Sequence, residues 1–263
     1  MRTKHVVMFS SGAASAIAAK RVADSVGTDR LILLFCDVLG EDEDNYRFLH
    51  EAAAWVGGEL ITIADGRTIW QVFRDRRRLG SDRVAPCSVS LKQRVAERWL
   101  QEHCDRATTI RYVGFDWNEP HRLAALRRAL PGWRLEAPLQ APPYLTKADM
   151  LAQLRAVGIE PPRLYGLGFP HANCGGGCVR AGRAHWRHLL RVLPDRYADW
   201  EANEQAIRDY LAKDVAMLRD RTGGVVRPLT LRALREQIEA QPQQGELWAE
   251  DWGGCGCFAL EDT

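Results

Sequence analysis

Residues 6–15 read VVMFSSGAAS, an apolar run that breaks into small residues just before a helical pattern begins. Small residues between a first strand and its helix let the backbone approach a ligand, and N–H groups at the helix start then face an anion. Gly12 tolerates backbone conformations that other residues avoid, and the Ser10, Ser11 and Ser15 hydroxyls can donate hydrogen bonds. A tight turn packed against the sheet explains the pattern equally well, because the dinucleotide and Walker A motifs are absent.

Strand and helix patterns alternate along the first half of the chain. Four apolar runs predict strands, at 6–9, 31–36, 60–63 and 110–113. Helical patterns lie between them, at 16–26, 44–56 and 90–102. The second run is continuously apolar, as expected of a strand buried on both faces. This rhythm predicts an α/β fold, a doubly wound and mostly parallel sheet with helices on both faces.

The second half of the chain has a different pattern. Proline-rich stretches bracket one helix, with Thr146 as N-cap, Asp149 completing a capping-box pattern and Gly158 at the C-terminal end. The rest is mostly helical and ends in a tail rich in glycine and cysteine. We therefore predict an α/β domain at 1–170, followed at 171–263 by a helical C-terminal extension.

Composition and charge are ordinary for a globular protein. The 263 residues are 46% hydrophobic and 27% charged, with a net charge of +2. No apolar stretch is long enough to span a bilayer and no signal peptide precedes the first strand, so we expect a cytoplasmic protein without a membrane partner. Basic residues concentrate at 74–78 and 180–191. Such stretches can bind nucleic acid, but a solvated surface and helical packing explain them equally well, so nucleic acid is the less favoured partner.

Four of the seven cysteines form two tight clusters, Cys174 with Cys178 and Cys255 with Cys257, and glycines flank both. An odd number of cysteines without a secretion signal does not indicate a disulfide framework. Four thiolates can hold zinc or a 4Fe-4S cluster, and the spacing does not choose between them. His171 is the next candidate ligand. Two unrelated pairs of free thiols are the alternative.

Four stretches, taken in order, resemble a known superfamily. Residues 9–15, FSSGAAS, resemble the phosphate loop of the adenine nucleotide alpha-hydrolases, which include the N-type ATP pyrophosphatases and the 3′-phosphoadenosine 5′-phosphosulfate (PAPS) reductases. Residues 35–37, FCD, place an acid where these proteins hold adenosine. Residues 87–92, CSVSLK, resemble their Cys-x-x-x-(Leu/Arg)-Lys segment, and residues 114–122, GFDWNEPHR, their Gly-x(4)-Glu-x-x-Arg segment. The match extends over roughly 4–180.

This resemblance implies an adenine-nucleotide site. Its residues would be Ser10, Ser11, Gly12 and Ser15 around the phosphate or sulfate end, Asp37 at the adenosine, and Lys92 and Arg122 as neutralising charges. A solvated surface position is the alternative for Lys92, and an ion pair with Glu119 for Arg122. Ala14 stands where the pyrophosphatases carry an aspartate associated with magnesium-bound pyrophosphate. The departure favours a PAPS reductase-like protein. The adenine nucleotide implied by the resemblance is PAPS, adenosine phosphosulfate (APS) or ATP.

The resemblance also implies an activity, phosphosulfate reduction or sulfur transfer, with an electron- or sulfur-donor protein as partner. It favours a 4Fe-4S cluster over zinc, held by the four clustered cysteines, and Cys87 or Cys257 as the reactive thiolate. Cys257 cannot easily be both ligand and nucleophile, and the reductases' Glu-Cys-Gly-x-His signature is absent. Two alternatives stay open: ATP-dependent thiolation of a nucleic-acid base or another acceptor, and a non-catalytic nucleotide- or metal-binding module.

Overall fold

The computed structural model describes residues 3–240 and 251–253, which divide into two compact units. The first unit comprises residues 3–65 and 91–175, and the second comprises the remaining described residues. Residues 66–90 pack within the second unit, although the sequence prediction assigned them to the domain at 1–170. The chain thus passes from the first unit to the second near residue 66 and returns near residue 91. No local sequence pattern marks either position.

The first unit contains a five-stranded sheet whose paired strands are all parallel. Its strands are β1 (Lys4–Met8), β2 (Leu31–Asp37), β3 (Glu59–Ala64), β4 (Thr109–Tyr112) and β5 (Arg134–Glu136). They are arranged in the order β3-β2-β1-β4-β5. The four predicted strands and the predicted α/β class are confirmed, while β5 is a short strand that the sequence analysis missed.

Helices connect the strands and build most of the second unit. Within the described residues they are α1 (Ala13–Val26), α2 (Glu43–Val56), α3 (Ile69–Asp75), α4 (Arg94–His103), α5 (Pro120–Ala129), α6 (Lys147–Ala156), α7 (Arg163–Gly166), α8 (Arg183–Val192), α9 (Pro194–Leu211) and α10 (Leu231–Ala240). In this part of the chain no helix combines the length and the apolar character needed to cross a membrane.

Successive residues of the central strands enter two different hydrophobic cores. Val7 and Leu33 pack on one face of the sheet with α1, α2 and α6. Val6 and Leu34 pack on the other face with α4 and α5. Because side chains alternate across a strand, the continuous apolar runs in β1 and β2 supply both cores. The predicted covering of both faces by helices is therefore confirmed.

Side-chain caps define where two helices of the first unit begin. Asp149 donates its N–H to Thr146 Oγ1 at 3.2 Å and accepts the Thr146 N–H at 2.8 Å, so the predicted capping box of α6 is confirmed. Gly158 follows α6 with φ +82°. Asp42 caps α2 and accepts two hydrogen bonds of 2.8 Å from the Arg163 guanidinium. These contacts attach the start of α7 to the start of α2.

The second unit combines helices with a short antiparallel pair, β6 (Leu218–Asp220) and β7 (Arg227–Leu229). Trp186 is fully buried, and its ring centroid lies 5.2 Å from that of Trp200. A Cβ at Gly177 would overlap the Trp200 indole, so the chain passes directly over this ring. Trp186 is thus a core residue, and helical packing explains its place among basic residues.

A buried carboxylate organises the second unit. Glu204 on α9 is 1% exposed, and its two oxygens accept the N–H of Met217 at 2.9 Å and of Leu231 at 2.6 Å. These donors lie just before β6 and at the first residue of α10. One side chain therefore satisfies two backbone groups that would otherwise be costly to bury.

We expect Glu204→Gln to lower the free energy of unfolding by about 2 kcal/mol, because the amide NH₂ would face a backbone donor where an oxygen now accepts. Urea unfolding of both proteins measures the loss. Asp209→Asn on the exposed side of α9 is the control, with an expected change within about 0.5 kcal/mol. Equal stability of the two variants would contradict the role assigned to Glu204.

Burial raises the pKa of Glu204, and its backbone donors offset only part of this. A raised pKa in the folded state means that the protonated carboxyl favours folding. The difference in unfolding free energy between wild type and Glu204→Gln should therefore shrink as the pH rises above the ordinary value of 4.5.

Candidate functional site

The strand order reverses between β1 and β4, which lie side by side at the centre of the sheet. In open α/β sheets, ligands bind at such a switch point, beyond the carboxyl ends of the strands. Here the loop at 9–12 follows β1, and Gly114 lies two residues after β4. A Cβ at Gly114 would lie 3.0 Å from Ser15 Cα. The absence of a side chain at Gly114 therefore lets the start of α1 approach the loop after β4.

The loop after β1 is held by its own serines. Ser15 Oγ lies 2.8 Å from the Gly12 carbonyl oxygen and also contacts the Ser10 carbonyl oxygen. Ser10 Oγ donates to Ser15 Oγ at 3.2 Å. Gly12 has φ −123°, an extended conformation that any residue adopts, so the expected use of glycine for an unusual conformation is wrong. Ser11 is 2% exposed.

Two backbone donors at the start of α1 have no partner in the described part of the chain. The N–H of Ala13 donates to Tyr165 Oη at 3.3 Å, whereas the N–H groups of Ala14 and Ser15 make no hydrogen bond there. No acidic residue lies in the first turn of α1. The positive end of the helix dipole and two N–H groups are thus available to an anion at the switch point.

Asp37 ends β2, as the sequence predicted, and its Oδ1 atom is already engaged. It accepts the Leu39 N–H at 2.8 Å and the Tyr46 hydroxyl at 2.8 Å. Burial raises the pKa of Tyr46, and the bond to Asp37 adds to the effect, so this hydroxyl remains a donor. Within the described residues Asp37 Oδ2 makes no hydrogen bond. One carboxylate oxygen therefore shapes the turn, and the other is available to a ligand.

Lys92 forms a buried ion pair that the sequence analysis did not foresee. Its Nζ lies 3.6 Å from Glu41 Oε1, and both side chains are less than a tenth exposed. Glu41 Oε2 accepts the Cys174 N–H at 2.7 Å and a 3.3 Å bond from Asn45 Nδ2. The solvated surface position considered for Lys92 is therefore wrong. The acidic run at 41–44, just after β2, could have suggested a partner for a buried lysine, but the sequence does not show which lysine it meets.

A π-helical segment carries Lys92 into this position. The predicted helix at 90–102 is confirmed as α4, but it is preceded directly by a π-helix at Ser88–Gln93. Helical periodicity does not distinguish a π-turn from an α-turn in a short window. Such turns occur frequently at functional sites, where they change the direction of a side chain.

Arg122 is paired with Glu119, the alternative that the sequence left open for it. Its Nη1 lies 2.6 Å from Glu119 Oε1, and the guanidinium carbon lies 4.3 Å from the centre of the Phe115 ring. Burial raises the pKa of Glu119. The hydrogen bond and charge of Arg122, with the charge of His171, lower this pKa by more, so the net shift is downward. Glu119 is thus held ionised beside Arg122, and His171 lies close enough to affect it.

The five described cysteines form no disulfide and lie in different environments. Burial raises the pKa of Cys36 to about 12 and also raises that of Cys104, so neither ionises readily. Cys87 is partly exposed and lies in the second unit, immediately before the π-helix. Cys36 and Cys104 are therefore unsuited to thiolate chemistry. A catalytic role for Cys87 stays a prediction.

The predicted metal ligands are only partly covered by the structure. Cys174 has φ +51°, a left-handed conformation. The backbone carbonyl of Cys178 accepts the Ala181 N–H at 2.9 Å. Cys255 and Cys257 lie outside the described residues. Among the residues that are described, no three His, Cys, Asp or Glu side chains come together as a metal site. The four-cysteine site and the catalytic role of Cys257 stay predictions.

Three comparisons relate the chain to known proteins. No protein-family model matches it, and no curated protein matches it. Among solved structures it is similar to the phosphoadenylyl-sulfate (PAPS) reductase from Candida auris in a phosphate complex. The similarity covers 62% of this chain and 78% of that chain, with 14% sequence identity and a TM-score of 0.43. At this identity the similarity concerns the fold alone.

We expect Gly114→Ala to lower the free energy of unfolding by about 1–3 kcal/mol, because the new Cβ would meet Ser15 backbone atoms that cannot rotate away. Urea unfolding measures the loss. Gly166→Ala is the matched control, since a Cβ there has no neighbour within 4 Å. If the two alanine variants were equally stable, the close approach at Gly114 would not hold.

Proposed function

We propose that the chain is an adenine-nucleotide-binding enzyme of the PAPS reductase-like type, acting in phosphosulfate reduction or sulfur transfer. The observation that carries the proposal is the pair of unpartnered N–H groups, on Ala14 and Ser15, at the switch point of the sheet. They support a phosphate or sulfate group at the start of α1. The second oxygen of Asp37, at the end of the neighbouring β2, supports recognition of the adenosine.

The charges near the loop favour an anion held mainly by the backbone. Lys92 is neutralised by Glu41 and Arg122 by Glu119, so these predicted phosphate residues bring little unbalanced charge. Ala14 adds no carboxylate that would attract magnesium. These features support APS or PAPS over magnesium-bound ATP as the nucleotide.

The sulfur chemistry requires a thiolate nucleophile. Burial disfavours ionisation of Cys36 and Cys104. We therefore assign the reactive thiol to Cys87, which is partly exposed, or to Cys257. Turnover of APS or PAPS by the Cys87→Ser and Cys257→Ser variants, measured together with their iron content, distinguishes them, since loss of the nucleophile abolishes turnover and leaves both nucleotide binding and the iron content intact.

We expect Gly12→Asp to weaken binding of APS or PAPS at least tenfold without destabilising the protein. The extended Gly12 accepts any residue, and aspartate is an N-cap that stabilises a helix by only about a few tenths of a kcal/mol more than glycine does. Its carboxylate would compete for the N–H groups of Ala14 and Ser15 and repel an anion. Isothermal titration calorimetry under reducing, anaerobic conditions measures the affinity, and thermal unfolding measures the stability.

Gly12→Asn is the matched control, because it caps the helix without a charge and should weaken binding less. Unchanged affinity in Gly12→Asp would contradict an anion site at α1. A preference for magnesium-bound ATP, with pyrophosphate release when a tRNA or DNA acceptor is added, would instead indicate the thiolation reaction. Tight nucleotide binding without turnover of any of the three nucleotides would indicate a binding module.

We further propose that the clustered cysteines hold a 4Fe-4S cluster. In the second unit, Gly253 forms an antiparallel bridge with Ala181, three residues after Cys178. Cys255 follows Gly253 by two residues in the sequence and lies outside the described residues. The bridge thus pairs Gly253, the last described residue, with the chain segment just after Cys178, which supports a shared thiolate site. Bound there, the cluster would supply electron or sulfur transfer.

We expect anaerobically purified protein to contain about four iron and four sulfide ions per chain, and Cys178→Ser to lose most of both. Cys104→Ser is the control, since this thiol lies apart from the two cysteine clusters in sequence and its raised pKa disfavours ligation. Metal analysis and the visible spectrum measure the content. Zinc without iron would overturn the iron–sulfur assignment, and full iron retention in Cys178→Ser would remove that residue from the ligand set.

A further inference from the structure

The second unit contains a cavity of about 380 Å³ with a strongly basic lining. It is bounded by the segment after α3, the turn between α9 and β6, and strand β7. The charged side chains that line it are Arg77, Arg78, Lys213, Asp214, Arg219 and Arg227. Two arginines of the basic run at 74–78, Arg77 and Arg78, therefore line this cavity. The nucleotide site does not account for this run.

Most of these positive charges are not neutralised by the protein. Asp214 is the single acid in the lining, and it pairs with Arg208 at 2.9 Å. Arg219 lies 3.8 Å from Asp82. The other four cations, Arg77, Arg78, Lys213 and Arg227, form no ion pair within the described ranges. The cavity therefore has a large excess of positive charge, although the whole chain carries only +2.

The backbone at Arg77 points to a role other than folding. Arg77 follows α3 with φ +48°, in the left-handed region that glycine enters more readily than any other residue. A glycine at this position would end the helix with less strain. Stability alone does not account for a long charged side chain here.

We propose that this cavity binds the phosphate backbone of single-stranded nucleic acid. Its cations are largely exposed, so each one attracts an isolated phosphate only weakly. A polymer that brings several phosphates at once gains from counterion release at each contact. Arg74 and Arg83, on the same chain segment as Arg77 and Arg78, are exposed as well. Charge and exposure together thus favour a polyanion over a small phosphate ligand.

The turn between β6 and β7 supports a single strand. Val226, which lines the cavity, is 58% exposed, and its neighbour Val225 is 52% exposed. An apolar surface next to a phosphate site suits unstacked bases, which a duplex does not offer. The proposal goes beyond adenine-nucleotide binding and stands independently of it.

Fluorescence anisotropy with labelled DNA and RNA single strands of about 20 nucleotides tests the proposal on the full chain, across a KCl series. We expect Arg77→Gln/Arg227→Gln to weaken binding roughly five- to tenfold. The slope of log K against log salt should fall in magnitude by about 1.4, the value for two lost single-strand contacts. Arg94→Gln/Arg128→Gln is the matched control, because it removes the same charge from exposed positions outside the cavity.

The Arg77→Gly variant distinguishes an effect on nucleic-acid binding from an effect on stability. It should unfold at the same temperature as wild type or higher, yet bind the single strand more weakly. Equal weakening in the cavity and control double variants would overturn the proposal, as would the absence of binding at low salt. Tighter binding of a duplex would overturn the assignment to single strands. Displacement of the strand by inorganic phosphate far beyond that by chloride at equal ionic strength would identify a small-phosphate site instead.

APS and PAPS binding, measured by calorimetry on the same variants, should be unchanged. Failure of single-strand binding would leave the nucleotide proposal intact, and failure of nucleotide binding would leave this one intact.

Discussion

The close approach of Gly114 to Ser15 is the constraint on which the first unit depends. β1 and β4 lie side by side where the strand order reverses, and the segments that follow them must share one narrow edge of the sheet. Because Gly114 has no side chain, the backbone at the start of α1 reaches the segment that follows β4. The serines then hydrogen-bond within the loop, and the N–H groups of Ala14 and Ser15 have no hydrogen-bond partner among the described residues.

The electrostatics of this edge differ from what a count of charged residues indicates. Lys92 and Arg122 look like phosphate ligands in the sequence, but each is matched by a carboxylate at short range. A buried lysine without such a partner would be strongly destabilising, because its charge would lose hydration and gain no ion pair. An anion at this site would therefore depend on backbone dipoles, which remain fixed at any pH and need no reorganisation when the ligand binds.

The second unit distributes aromatic and basic residues in opposite ways. Trp70 and Trp186 both pack against Trp200, and Gly177 lets the chain cross the Trp200 ring. Four of the unit's arginines and Lys213 instead line one cavity. A stretch that mixes both residue types in sequence thus separates into a stabilising interior and a charged surface, and only the surface is available to a partner.

Local patterns in the sequence determined the four long strands, the parallel α/β class, the capping box at Thr146 and the position of the loop before α1. Each depends on residues within about one turn or one strand, so it can be read without knowing the fold. The tertiary structure alone decided that Glu41 meets Lys92, that Gly114 meets Ser15, and that Arg77 shares a cavity with Lys213 and Arg227. These partners are separated by dozens of residues or more. Contacts over such distances are created by chain topology and packing, and no local pattern encodes them.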